Sequence, residues 1–131
     1  MLEMESVQAS VARTYNIGVE VTMDVIGGKW KPIILCNLRH QVMRTSELRR
    51  AIPNISQKML TQQLRELEQA NIVNRKSYNQ IPPKVEYSLS DYGESLGEIL
   101  DLLCSWGEQH AEHLISNGEA ITLNCDNQDN A

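Results

Sequence analysis

The chain has 131 residues, 41% of them apolar and 22% charged, which suits one soluble domain with a single core and leaves no room for a second. No stretch approaches the roughly 18 uninterrupted apolar residues of a membrane helix, and the N-terminus lacks a basic region followed by an apolar run, so a cytoplasmic location and no membrane partner are expected. The net charge of −5 conceals a division: residues 44–84 hold eight Lys or Arg against three Glu, whereas residues 85–131 hold ten Asp or Glu and neither Lys nor Arg. Charge is screened within roughly 8 Å at physiological ionic strength, so the acidic total does not exclude an anionic partner for the basic block.

The first clear element runs from about Val19 to Ile26, where Val19, Met23 and Ile26 recur at helical spacing and Gly27 and Gly28 supply a stop. A second helix follows, with Pro32 near its first turn, where a missing N–H costs little. Ile33, Ile34, Leu35, Cys36 and Leu38 make it apolar on most sides, as a buried central helix requires. A third helix spans roughly Ser46 to Ile52, with Thr45 or Ser46 as its cap and Leu48 and Ile52 on its inner face. Pro53 prevents its continuation, and Asn54 is a residue type that accepts a left-handed backbone, so a short turn over Pro53, Asn54 and Ile55 is expected.

The fourth helix has a marked start, because Ser56 is a strong N-cap and Ile55 can pack on Leu60 as a hydrophobic staple. Leu60, Leu64 and Leu67 form its inward stripe. Gln57, Lys58, Thr61, Gln62 and Arg65 form the outward one, a mixture of neutral hydrogen-bonding groups and two cations that can meet base edges and phosphates together.

Beyond Asn71 the period falls toward two, predicting strands over Ile72–Tyr78 and Lys84–Leu89 joined by a turn that Pro82 and Pro83 stiffen. Ser90 then caps a long final helix reaching about residue 116, with Asp91 and Glu94 near its positive end. Its apolar residues span more than one face, which predicts burial against a second copy of the chain: a homodimer, with Leu96, Leu100, Leu103, Trp106, His110 and Leu114 at the interface. Residues 1–14 and 119–131 are expected to be loosely ordered flanks of one domain over residues 15–118.

The fold class expected from this order is mainly α with a small β-hairpin wing (α+β), a winged helix-turn-helix. Such a module places its fourth helix in the major groove of double-stranded DNA and its hairpin, bearing Arg75, Lys76 and Lys84, on the neighbouring backbone or minor groove. Its operators tend to be pseudo-palindromes, and its binding falls steeply with salt.

Three segments carry a resemblance: "DVIGGKWKPIILCNL" over residues 24–38, "SELRRAIPNISQKMLTQQLRELE" over residues 46–68 and "PPKVEYSLSDYGESL" over residues 82–96. They closely resemble the HxlR-type family of bacterial winged-helix regulators, relatives of the MarR group, across roughly residues 15–113. The resemblance implies a dimeric DNA-binding transcriptional regulator whose N- and C-terminal helices form the dimer interface, with Ser56, Gln57, Lys58, Thr61, Gln62 and Arg65 reading DNA and Lys76 and Lys84 as wing contacts. Repression at a pseudo-palindromic operator is the expected action, although the sign of regulation does not follow from the residues themselves. For the trigger two alternatives stay open: a small-molecule effector in a cleft between the dimer helices and the DNA-binding half, as in the MarR relatives, or no small effector at all. Two departures matter. Family members often have Pro-Gly-Ile-Ser where this chain has Pro53, Asn54, Ile55 and Ser56, and Asn54 is expected to serve the same backbone need; the second is the more serious. The family's N-terminal motif often reads Cys-Pro-Val-Glu, and the matching stretch here is Ile17, Gly18, Val19 and Glu20, so redox sensing by that thiol is unsupported.

Cys36, Cys104 and Cys125 are odd in number and widely spaced, which predicts free thiols and neither zinc nor another cofactor. Cys36 reads as a small core residue. Cys104, beside Trp106 at the expected dimer seam, is the better candidate for a thiol-based stress sensor, and Cys125 is expected to be exposed in the polar tail. His110 and His113 lack an evident third metal ligand, and Trp30 and Trp106 read as core anchors. Arg49 and Arg50 are expected to touch phosphate or solvent. The chain offers no phosphate loop, nucleophile elbow or paired carboxylates, so an enzyme is not expected. The rival reading is a winged helix used as a protein-interaction module, its basic block meeting an acidic partner.

Overall fold

The computed structural model describes residues 11–124; the expectation for Cys125 lies outside them. Helix α1 spans Gly18–Ile26 and α2 spans Trp30–Asn37, followed by the short strand β1, Met43–Arg44. Helices α3, Thr45–Ala51, and α4, Gln57–Gln69, form the helix-turn-helix. Strands β2, Val73–Tyr78, and β3, Lys84–Leu89, form the hairpin, and a single 3-10 turn over Gly93–Leu96 leads into α5, Gly97–Ser116.

The helix ends follow from local chemistry. Ser56 Oγ accepts a hydrogen bond from the Met59 N–H at 3.0 Å, closing one orphan donor of α4. Its staple partners, Ile55 and Leu60, are both buried in the core. At the other end of α4 the Ile72 N–H reaches the Leu67 carbonyl and the Asn71 N–H the Glu68 carbonyl, each at 2.9 Å, with Asn71 in the left-handed region at φ 63°. This is a Schellman stop with Asn in place of the usual Gly. Helix α5 ends the same way on Gly118, whose φ is 94°.

Three local expectations need correction. Asn71, not Asn54, is the non-glycine residue with positive φ among the described residues. The Ile55 N–H closes on the Ile52 carbonyl at 3.2 Å, a turn with Pro53 at its second position that needs no left-handed residue. Helix α3 begins at Thr45, and its cap is supplied from behind: Glu47 Oε1 accepts from the Arg44 N–H at 2.7 Å. The final helix starts at Gly97 and not at Ser90, so at 1.5 Å per residue its 20 residues span about 30 Å. Ser90 instead ties three segments together: its hydroxyl donates to the Asn71 carbonyl at 2.7 Å and accepts from the Gly93 N–H at 2.8 Å.

Gly93 is required where it stands, because a Cβ there would lie 2.1 Å from the Ile72 carbonyl oxygen. The sheet is antiparallel in the order β1-β3-β2, with Met43 opposite Tyr87, Val73 opposite Leu89 and Tyr78 opposite Lys84. One core unites Ile26, Ile34, Leu35, Leu38, Leu48, Ile52, Leu60, Leu64, Leu67, Ile72 and Leu100. Helix α2 lies at its centre and packs against both α4 and α5. Arg39, just beyond α2, donates to the Gly97 carbonyl at 3.2 Å and pairs with Glu94 and Asp101, fixing the start of α5.

Candidate nucleic-acid interface

Burial of Leu60, Leu64 and Leu67 at spacings of four and three turns the opposite side of α4 outward. Ser56, Gln57, Lys58, Thr61, Gln62 and Arg65 are all exposed on that side. The six positions that the sequence singles out are therefore brought together on one face, with no acid among them.

Two of the amides are held rather than free. Gln57 Nε2 donates to Thr61 Oγ1 at 3.1 Å, one turn along. Gln62 Nε2 donates to Glu66 Oε2 at 3.3 Å, while the ammonium of Lys31, on α2, donates to Glu66 Oε1. The Lys31 contact first, and the Gln62 amide second, hold the Glu66 carboxyl below the usual carboxylate range. A chain of polar contacts thus runs from the central helix α2 through Glu66 to the exposed Gln62 side chain. Sequence spacing along α4 could not reveal it, because Lys31 lies 35 residues away.

On the wing, Lys76 is exposed and its ammonium lies 4.9 Å from the Tyr78 ring centroid. Lys84 is half-buried, 4.6 Å from the same ring, and pairs with Glu86 at 3.4 Å. Glu86 also accepts from the Tyr78 hydroxyl at 2.8 Å, and this bond, ahead of the Lys84 contact, lowers its carboxyl below the usual range. Lys84 is thus partly committed to Glu86, whereas Lys76 offers its charge outward. Arg49, Arg50 and Arg75 are also exposed, and the hairpin tip over residues 79–83 presents Ile81 fully to solvent.

The residues expected at a dimer seam divide. Leu103 and Trp106 are exposed, Trp106 at 65%, and His110 stacks on Trp106 with ring centroids 4.8 Å apart. Trp106 is therefore no core anchor, whereas Trp30 packs against the core. Leu100 is 1% exposed and belongs to the chain's own core, so it has no surface to give a partner. Leu96 packs half-buried against the same core, and Leu114 is half-buried. Their places on the outer apolar surface are taken by Ile99, Leu102 and Ile115, and α1 adds Val19, Val21 and Met23, all exposed. Sequence periodicity marks this helix as having surplus apolar surface; it does not show which stripe the core uses.

Among the described residues no group of three potential metal ligands occurs and no helix is long and apolar enough to cross a membrane.

Comparison with known proteins agrees with this geometry. Residues 25–114 match the profile of the HxlR-like helix-turn-helix family. The HTH-type transcriptional regulator YtcD of Bacillus subtilis, itself uncharacterised, is 65% identical over 98 residues, 75% of this chain and 78% of that protein. The HTH-type transcriptional regulator YkvN of the same organism is 56% identical over 107 residues, covering 82% of this chain and 91% of that protein. The solved structure of the redox regulator HypR in its reduced form superimposes with a TM-score of 0.70 at 50% identity, covering 75% of this chain and 97% of that one. A three-stranded sheet behind a helix-turn-helix, an exposed polar and basic face on α4, and these likenesses lead to one conclusion: the chain belongs to the HxlR-like helix-turn-helix family of DNA-binding transcriptional regulators and is not an enzyme.

Proposed function

We propose that the protein binds a pseudo-palindromic operator as a homodimer and represses transcription there, reading bases through α4. The exposed α4 face carries this reading. Gln57, Thr61 and Gln62 supply neutral donors and acceptors suited to base edges, and Lys58 and Arg65 supply charge for phosphate or guanine contacts. Ser56 sits at the positive end of α4, where backbone N–H groups favour a phosphate. Lys76 is the principal wing contact, and Lys84 supports it through Tyr78.

The dimer rests on the apolar surface that α1 and α5 leave uncovered, with Leu103, Trp106 and His110 at its centre. A twofold arrangement of such subunits sets two α4 helices about one helical turn apart on one side of the duplex. A small effector has its place in the groove of about 430 Å³ between α2 and α5, the helices that join the DNA-binding half to the dimer surface.

Titration of the protein against its own promoter fragment at several salt concentrations tests the reading. Binding with a steep negative salt slope is expected; salt-insensitive binding, or binding only to an acidic protein partner, contradicts it. Light scattering at micromolar concentration is expected to give the mass of two chains, and the mass of one chain contradicts the dimer.

A further inference from the structure

The groove between α2 and α5 holds a pair of thiols that the DNA-binding account does not use. Cys104 Sγ lies 3.6 Å from Cys36 Sγ, although the two residues are 68 positions apart in sequence. Cys36 is half-buried against the core and its thiol faces the Leu100 carbonyl at 3.8 Å, one turn before Cys104 on α5. Cys104 is exposed, and both sulfurs line the groove with Arg39, His40 and Asp101. A disulfide needs sulfurs about 2.05 Å apart, so a closing movement of roughly 1.5 Å joins them.

We propose that Cys36 and Cys104 form an intrachain disulfide when the protein meets a hydroperoxide, and that this bond weakens operator binding. Cys104, reachable by solvent, is oxidised first: its thiolate attacks one peroxide oxygen, the O–O bond breaks, and the alkoxide released takes up a proton to become an alcohol. Cys104 is then a sulfenic acid. Cys36 sulfur attacks the Cys104 sulfur, the S–O bond breaks, and the hydroxide released leaves as water with the proton of the Cys36 thiol. Two thiols and one hydroperoxide give one disulfide, one alcohol and one water. Burial pushes the Cys36 thiol up, with the Cys104 contact adding to it, which keeps Cys36 protonated at neutral pH and assigns it the resolving role.

The consequence for DNA follows from where the bond lies, and this part rests on the proposed homodimer. Helix α2 packs on the reading helix α4 and on α5, which carries the uncovered apolar surface. Drawing α2 and α5 together therefore changes the placement of each reading helix relative to the twofold axis, and half-site spacing tolerates little error.

The test uses the full chain bearing Cys125→Ser, treated with a slight excess of cumene hydroperoxide. Intact mass is expected to fall by about 2 Da, the loss of two hydrogens, with no covalent dimer on a non-reducing gel and full recovery with dithiothreitol. Operator affinity is expected to drop at least about fivefold and return on reduction. Cys104→Ser in the same background is expected to keep its mass and its affinity under oxidant, and Cys36→Ala to stop at the sulfenic acid. Cys104→Ser alters an exposed position and guards against a folding defect in Cys36→Ala. A covalent dimer, a gain of oxygen without loss of hydrogen in the Cys125→Ser protein, or a disulfide that leaves operator affinity unchanged would overturn the proposal. Failure of the reduced protein to bind its promoter would instead overturn the regulator reading and the link to DNA, while the mass still decides whether the bond forms.

Discussion

Gln62, which we propose reads bases, shows how such a residue is prepared. Its amide is restrained by Glu66, and Glu66 is restrained by Lys31 on the buried central helix. A restrained side chain loses less entropy when it meets a base, so the polar chain reduces the cost of recognition. Because the folded protein holds the Glu66 carboxyl below its ordinary range, Glu66 contributes stability above the unfolded carboxylate pKa and loses it as pH falls through the lower, folded value. Glu66→Gln removes that dependence. The melting temperature of the wild type is expected to exceed that of Glu66→Gln by a constant amount near neutral pH, with the gap closing below about pH 4.3. A gap that stays constant down to pH 3 contradicts a perturbed Glu66.

At the scale of elements, the ends of α4 and the approach to α5 are the points most exposed to single changes. Ser56→Ala removes the Oγ acceptor from the Met59 N–H and is expected to cost about 1 kcal/mol in chemical denaturation. Gly93→Ala places a carbon against the Ile72 carbonyl and is expected to cost about 1–3 kcal/mol, since backbone there cannot yield as a flexible side chain would. An unchanged denaturation midpoint in either variant contradicts its local account.

Much of this level is legible in the sequence. The Ser56 cap, the leucine stripe of α4 and the alternation in β3 are short-range signals, each complete within a few residues. The strand β1 is not, because two residues at Met43 and Arg44 carry no period; they are strand only because Tyr87 and Glu86 pair with them. The inward turn of Leu100 is hidden for a related reason. A helix whose apolar residues span more than one face does not reveal which stripe its own core will claim, and the nearness of Cys36 and Cys104 depends on the packing of α2 against α5.

For the whole molecule, the charge division seen in the sequence becomes spatial. The basic block coincides with α3, α4 and the wing, and the acidic remainder includes α5 and its approach. On the proposed dimer, α5 lies along the seam and the basic faces point to DNA. Trp106→Glu inserts charge into the exposed apolar surface without touching the core, and is expected to give a folded single chain by light scattering with unchanged helical content by circular dichroism. A Trp106→Glu protein that remains a dimer would move the interface elsewhere.

The most direct measurement of the central claim is the ratio of operator affinity to affinity for unrelated DNA at one fixed salt concentration, taken for the wild type, Gln62→Ala and Arg65→Ala. Each substitution is expected to lower that ratio about tenfold or more while leaving the dimer mass intact. Lys58→Ala, a phosphate contact on this account, is expected to weaken both affinities together. A ratio unchanged in both Gln62→Ala and Arg65→Ala would show that α4 does not read the operator through this face.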